Sequence, residues 1–141
     1  MTRIDFYLDV EDKIPFIGRL CAKVLQQKLR MLIYAPEASV ASAVNKTLWT
    51  QPAISFVPHC QDTDSLAAET PILITQDNAQ LPHDEVLLNL HREQPPHFSR
   101  FQRLIEIVSC EETDKQDARN RFKFYRDRGY EIHQHPMGER A

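Results

Sequence analysis

Arg3-Ile4-Asp5-Phe6-Tyr7-Leu8-Asp9 is the stretch that decides the fold. Ile4, Phe6 and Leu8 alternate with Asp5 and Tyr7, the period-two pattern of a strand whose successive side chains point to opposite faces. Pro15 then stands where a helix would start, at a position that tolerates the missing N–H. Phe16, Leu20, Val24 and the run Ala22–Leu25 follow at helical spacing, which predicts a helix over Pro15–Leu29. Met31–Tyr34 comes next, a short apolar run of the kind buried strands have. Strand, helix and strand in direct succession is the signature of a parallel sheet covered by helices.

The same alternation continues outward. Glu37–Trp49 carries Val40, Val44 and Leu48 four apart and opens with an acid suited to a helix N-terminus. Pro52 and Pro58 bracket a short extended piece. Pro71–Thr75, Glu85–Leu90 and Leu104–Ser109 read as strands, and Tyr130–His133 as a last one. Glu111–Arg128 is the most evident helix, with Gly129 just past it in the place of a left-handed C-cap. The expectation is an α/β fold: a single Rossmann-like layered domain over residues 1–135, mostly parallel sheet with helices on both faces, and a loose tail over 136–141.

The chain has 141 residues, enough for one domain, and 42% of them are hydrophobic, enough for one core. No segment has some 18 uninterrupted apolar residues, so none reads as a membrane span. The first residues lead straight into strand sequence without a signal peptide, which points to the cytoplasm. Cys21, Cys60 and Cys110 are odd in number and form no CxxC, as expected of reduced thiols. A net charge of -3 argues against a dedicated nucleic-acid binder.

An open α/β sheet invites a nucleotide, and the residues oppose one. The only glycines are Gly18, Gly129 and Gly138, and the first strand-to-helix connection, Val10-Glu11-Asp12-Lys13-Ile14, has none. A phosphate cradle brings backbone close to the ligand and uses several glycines. His133 and His135 could offer two imidazoles, but no third metal ligand stands near in sequence, and they read as a polar terminal strand. His59 and Cys60 are adjacent on an extended segment and so point apart, which disfavours a nucleophile–base pair. His83, His91 and His97 are expected to face solvent. The reading assigns no catalytic residue, no metal and no cofactor.

Two segments carry surface chemistry. Leu48–His59 holds Trp49, Phe56, Pro52 and Pro58 in a connection, where large aromatics either plug the core or anchor a contact. The helix from Lys115 to Arg128 carries Lys115, Arg119, Arg121, Lys123, Arg126 and Arg128 against Asp117 and Asp127. At helical spacing Ala118, Phe122 and Tyr125 share one face, and Lys115, Arg119 and Arg126 flank it on one side. A basic rim beside an aromatic wall suits an acidic peptide with an apolar end and a free carboxylate.

Leu48-Trp49, Pro52-Ala53 and Ser55-Phe56-Val57-Pro58-His59 together resemble the LW-x-x-PA-x-SFVPH signature of the chi subunit family of DNA polymerase III. Phe6-Tyr7-Leu8 and Arg119-x-Arg121-Phe122-Lys123-x-Tyr125-Arg126 with Gly129 are similar to that family too, in the same order along nearly the whole chain. The resemblance implies a non-catalytic adaptor of the clamp-loader assembly that bridges the psi subunit to the acidic C-terminal tail of single-stranded DNA-binding protein, and touches DNA only indirectly. It implies psi contacts at Trp49, Phe56 and Pro58, and tail contacts at Lys115, Arg119 and Phe122, with Arg126 beside them. The family often has Tyr where Phe122 stands, so a hydroxyl is lost here and the apolar wall kept. The competing expectations are a small nucleotide-dependent or hydrolytic α/β enzyme and a direct DNA binder using the basic helix.

Overall fold

A computed structural model describes residues 2–50, 59–61, 72–75, 84–95 and 98–137, and of residues 25, 38, 45, 47–50 and 59–61 the backbone only. Seven strands are described: β1 (Arg3–Val10), β2 (Met31–Tyr34), β3 (His59–Gln61), β4 (Ile72–Thr75), β5 (Val86–Asn89), β6 (Arg103–Ser109) and β7 (Glu131–Pro136). They form one sheet in the order β3-β4-β2-β5-β6-β1-β7, and every described pairing is parallel. The helices are α1 (Lys13–Gln26), α2 (Ala38–Thr50) and α3 (Glu112–Asp127).

The faces follow from the direction of travel. α1 and α2 carry the chain toward the β3 edge, whereas α3 carries it from β6 over β1 to the β7 edge. Right-handed crossovers in opposite directions put their helices on opposite faces. One core accordingly holds Phe16, Ile17, Leu20, Val24, Ala41 and Val44 of α1 and α2 against Tyr7, Ile33, Ile74, Leu88 and Ile105. The other holds Ala118 and Tyr125 of α3, with Phe98 and Phe101, against Ile4, Phe6, Leu32, Leu73, Leu87 and Leu104. The two faces expected for Arg3–Asp9 are these two cores. No helix among the described residues is long and apolar enough to cross a membrane.

Some boundaries differ from the sequence expectation. α1 begins at Lys13, because Asp12 Oδ1 accepts the Ile14 N–H at 3.3 Å and caps the helix ahead of Pro15. It stops at Gln26 rather than Leu29, because Lys28 turns left-handed at φ 58° and the Leu29 N–H reaches back to the Val24 carbonyl at 3.1 Å. β3 was not read from the sequence, since His59-Cys60-Gln61 carries no apolar alternation. Gly129 does take the left-handed C-cap, at φ 82°. β7 extends to Pro136, and the Met137 N–H bonds the Leu8 carbonyl at 2.8 Å, so the described domain runs two residues past His135; residues 138–141 lie outside the described residues.

A polar clamp ties β7 to the sheet. Asp5, with no exposed side-chain surface, accepts Arg103 Nε at 2.7 Å and lies 2.9 Å from His135 Nε2. The His135 ring stacks on Tyr7 at 4.7 Å, and Arg103 also donates to the Tyr7 hydroxyl at 3.0 Å. His135 is thus a tethering residue of the edge strand. Burial alone would raise the Asp5 carboxyl, but the bonds from His135 and Arg103, with the charges of Arg103 and Arg3, more than reverse this and hold it below the usual 3.8. A depressed folded-state pKa contributes stability that is present above 3.8 and lost as pH falls through the lower folded value. Asp5→Asn is expected to cost about 1.5–3 kcal/mol near neutrality, the scale of hydrogen bonds to a charged group. Its urea midpoint should then fall less steeply than that of the wild type between about pH 5 and 3. Parallel pH profiles would contradict the clamp.

Candidate functional site

α3 is held to the sheet by a buried charge network. Glu106 on β6 is fully buried and Arg121 on α3 is 3% exposed, with Arg121 Nε 3.1 Å from Glu106 Oε1. The Tyr125 hydroxyl donates to Glu106 Oε2 at 2.6 Å, and Asn89 Nδ2 reaches both carboxylate oxygens at 3.1 Å. Arg121 also donates to the Arg92 carbonyl at 2.7 Å, which fastens the segment after β5. Burial pushes the Glu106 carboxyl up, opposed by Arg121, Tyr125 and Asn89; burial and the Glu106 charge together push the Tyr125 hydroxyl up. Arg121, counted in the sequence only among the basic residues of this helix, is thus a buried residue. His91, expected to face solvent, is half-buried with its ring edge-on to Tyr34.

Fixing Arg121 and Tyr125 inward turns another stripe of α3 outward. Lys115, Ala118, Arg119, Phe122, Lys123 and Arg126 line one wall of a cleft of about 500 Å³. Phe6, Leu8 and Asp9 of β1, Val108 of β6 and Gln134 of β7 complete it. The Phe122 ring is half-buried, 5.6 Å from Phe6, and so continues the apolar floor up the helix wall. The structure therefore brings Lys115, Arg119, Phe122 and Arg126 together along one cleft. Lys123 lines it too; sequence reading counted its charge without placing it in the site, although its place next to Phe122 was visible.

The charges along the cleft are uneven. Arg119 and Arg126 are 63% and 61% exposed, and their contacts with Glu112 at 3.6 Å and Asp127 at 3.5 Å are solvent-exposed pairs of little strength. Lys115 is more enclosed and lies 3.5 Å from Asp9 Oδ1. Acids gather in the first turn of α3, where Glu112 and Asp114 complement the helix dipole. Asp114 accepts the Ser109 N–H at 2.7 Å and Lys13 Nζ at 2.9 Å.

In open parallel sheets ligands favour the crevice at the strands' C-terminal ends where the direction of winding reverses. One such reversal lies between β6, which leads toward β7, and β1, which leads back toward β2. Its crevice, about 540 Å³, is lined by Glu11, Asp12, Glu37, Glu111, Asp114 and Asp117 with Lys13, and these acids repel phosphate. Among the described residues no group of three or more His, Cys, Asp or Glu could hold a metal ion. Cys21 is buried and Cys110 exposed, both as free thiols. The Trp49 side chain, Phe56 and Pro58 lie outside the described residues; of that segment the backbone is described through Trp49 to Thr50 in α2 and at His59 in β3.

Residues 1–133 match the family described as DNA polymerase III chi subunit, HolC. The chain is 30% identical to DNA polymerase III subunit chi of Pseudomonas aeruginosa, over 97% of this chain and 98% of that one. It is 28% identical to the Escherichia coli K12 protein of the same name, over 94% of this chain and 96% of that one, and 27% identical to the Haemophilus influenzae one, over 84% and 83%.

Proposed function

Because the chain belongs to the chi subunit family of DNA polymerase III, and is thus an accessory subunit in DNA replication, we propose that it serves there as a non-catalytic adaptor whose α3 cleft takes the acidic C-terminal tail of single-stranded DNA-binding protein. The observation that carries this is the pairing of an apolar floor, Phe6, Leu8, Val108 and Phe122, with basic side chains along one wall. A tail of acidic residues ending in an aromatic residue matches both halves. The ring packs on the floor beside Phe122, Arg119 faces the terminal carboxylate with a fork that can bond both oxygens, and Lys115 and Arg126 supply charge on either side. Trp49, Phe56 and Pro58, on a separate segment, would then face the psi subunit, so that one small domain bridges the clamp loader to coated single strands. DNA is reached only through the partners, and the place of work is the cytoplasm.

The acidic crevice at the sheet's winding reversal supports an adaptor over a nucleotide-dependent or hydrolytic enzyme, since phosphates would meet six carboxylates and a single lysine there. Thermal unfolding separates the two. A peptide of several acidic residues ending in phenylalanine, supplied at 100 times its Kd, should stabilise the protein by about 2.7 kcal/mol and raise the midpoint by several degrees. Nucleoside triphosphates should leave it unchanged. A rise with nucleotide and none with peptide would overturn the adaptor reading.

A further inference from the structure

Asp9 sits where β1 leaves the sheet register, with its backbone left-handed at φ 58°. That conformation is unfavourable for a residue with a Cβ, by roughly 1–2 kcal/mol, though Asp and Asn bear it best. It stands at a cleft wall, its carboxylate 3.5 Å from Lys115 Nζ. The acidic crevice adjoins the same end of α3, through Asp114 and Asp117 on either side of Lys115. Toward the other end Arg119, Lys123 and Arg126 line the cleft, and the acids that Arg119 and Arg126 meet, Glu112 and Asp127, are themselves well exposed.

We infer that Asp9 is a specificity-determining residue of the cleft: by pairing with Lys115 it weakens the pull of that end of α3 on a ligand's acidic stretch and so biases the direction in which an anionic peptide lies. This rests on the peptide reading above and adds to it. The acidic stretch then runs toward Lys123 and Arg126, while the apolar terminal residue lies over Phe6, Leu8 and Val108 with its carboxylate at Arg119. Lys115, which the sequence alone presents as a free point charge, is paired with a residue far away in the chain.

The test uses two peptides of the same composition, one with the acidic run followed by a terminal phenylalanine and free carboxylate, the other with the sequence reversed and the N-terminus acetylated. Their affinities are measured by fluorescence anisotropy on the full chain, with circular dichroism melts of each variant. Asp9→Asn keeps a side chain that tolerates the left-handed backbone; Asp9→Gly, which has no Cβ to strain, serves as the second variant. Either should bind the forward peptide about two- to fivefold more tightly, the scale of one partly exposed charge contact. The reversed peptide should gain more, so that the preference between them narrows, and in a Lys115→Ala background the gain should disappear. Unchanged or weaker binding by variants that melt normally, or equal gains for both peptides, would overturn the assignment while leaving the peptide site standing. Failure of the wild type to bind either peptide would instead overturn the peptide reading, and the role of Asp9 with it.

Discussion

Glu106→Ala is expected to lower folding stability by about 3–5 kcal/mol, because it strands a buried guanidinium without its counter-charge. The geometry makes this a sensitive position. Arg121 is 3% exposed, and its remaining hydrogen bond goes to the Arg92 carbonyl. The Tyr125 hydroxyl would lose its acceptor in the same change. Removing both charges together tells a buried pair from simple loss of volume. Glu106→Leu with Arg121→Met should recover much of the loss, since apolar residues of similar size replace a buried ion pair at little cost. Urea unfolding of the two single variants and the double measures the coupling. Single losses under about 1 kcal/mol, or a double variant no better than Glu106→Ala, would mean that the network does not hold α3 in place.

Arg119→Ala should weaken binding of an acidic, carboxylate-terminated peptide by about 1.5–3 kcal/mol, the scale of a hydrogen bond to a charged group, which is roughly ten- to 150-fold. The fold should be unaffected: Arg119 is 63% exposed, and its contacts are Gln116 at 3.3 Å and Glu112 at 3.6 Å on its own helix. Its partner in the folded protein is therefore weak, and its guanidinium is available to a ligand. Arg119→Lys tests the geometry as well as the charge, since an ammonium cannot form the two parallel bonds of the fork. Lys should recover only part of the loss. Normal binding by Arg119→Ala in a titration calorimeter would make this stripe of α3 an ordinary solvated helix face.

The sheet and its helices were legible because burial on both faces writes itself into sequence as apolar runs and alternation. Met31–Tyr34 and the Ile72–Thr75 strand are buried throughout and read as strands for that reason. The cleft was legible in part, because Lys115, Arg119, Phe122 and Arg126 share a helix and their spacing places them on one stripe. What sequence could not show was the matching of distant charges. Arg121 looks like its exposed neighbours until Glu106 arrives beneath it from β6. Asp5 reads only as lying on the strand face opposite Ile4, Phe6 and Leu8, and its burial is met by Arg103 and His135 from both neighbouring strands. Lys115 reads as a free charge until the left-handed turn at Asp9 brings a carboxylate beside it. In each case the signal is a pair that the fold brings together, from 15 residues apart for Glu106 and Arg121 to 130 for Asp5 and His135, and one member alone has no distinguishing pattern.

Recognition of an acidic peptide in the α3 cleft through its free terminal carboxylate, as proposed, can be checked by comparing two peptides. The wild-type chain is titrated with a peptide of acidic residues ending in phenylalanine, and with the same peptide amidated at its C-terminus, at about 0.1 M and at about 1 M salt. The Debye length falls from about 10 Å to about 3 Å between these conditions, so exposed charge contacts are largely screened in the second. Amidation should weaken binding about tenfold or more at low salt, with the gap between the peptides narrowing as salt rises. Equal affinity for the two peptides at low salt would contradict recognition through the carboxylate.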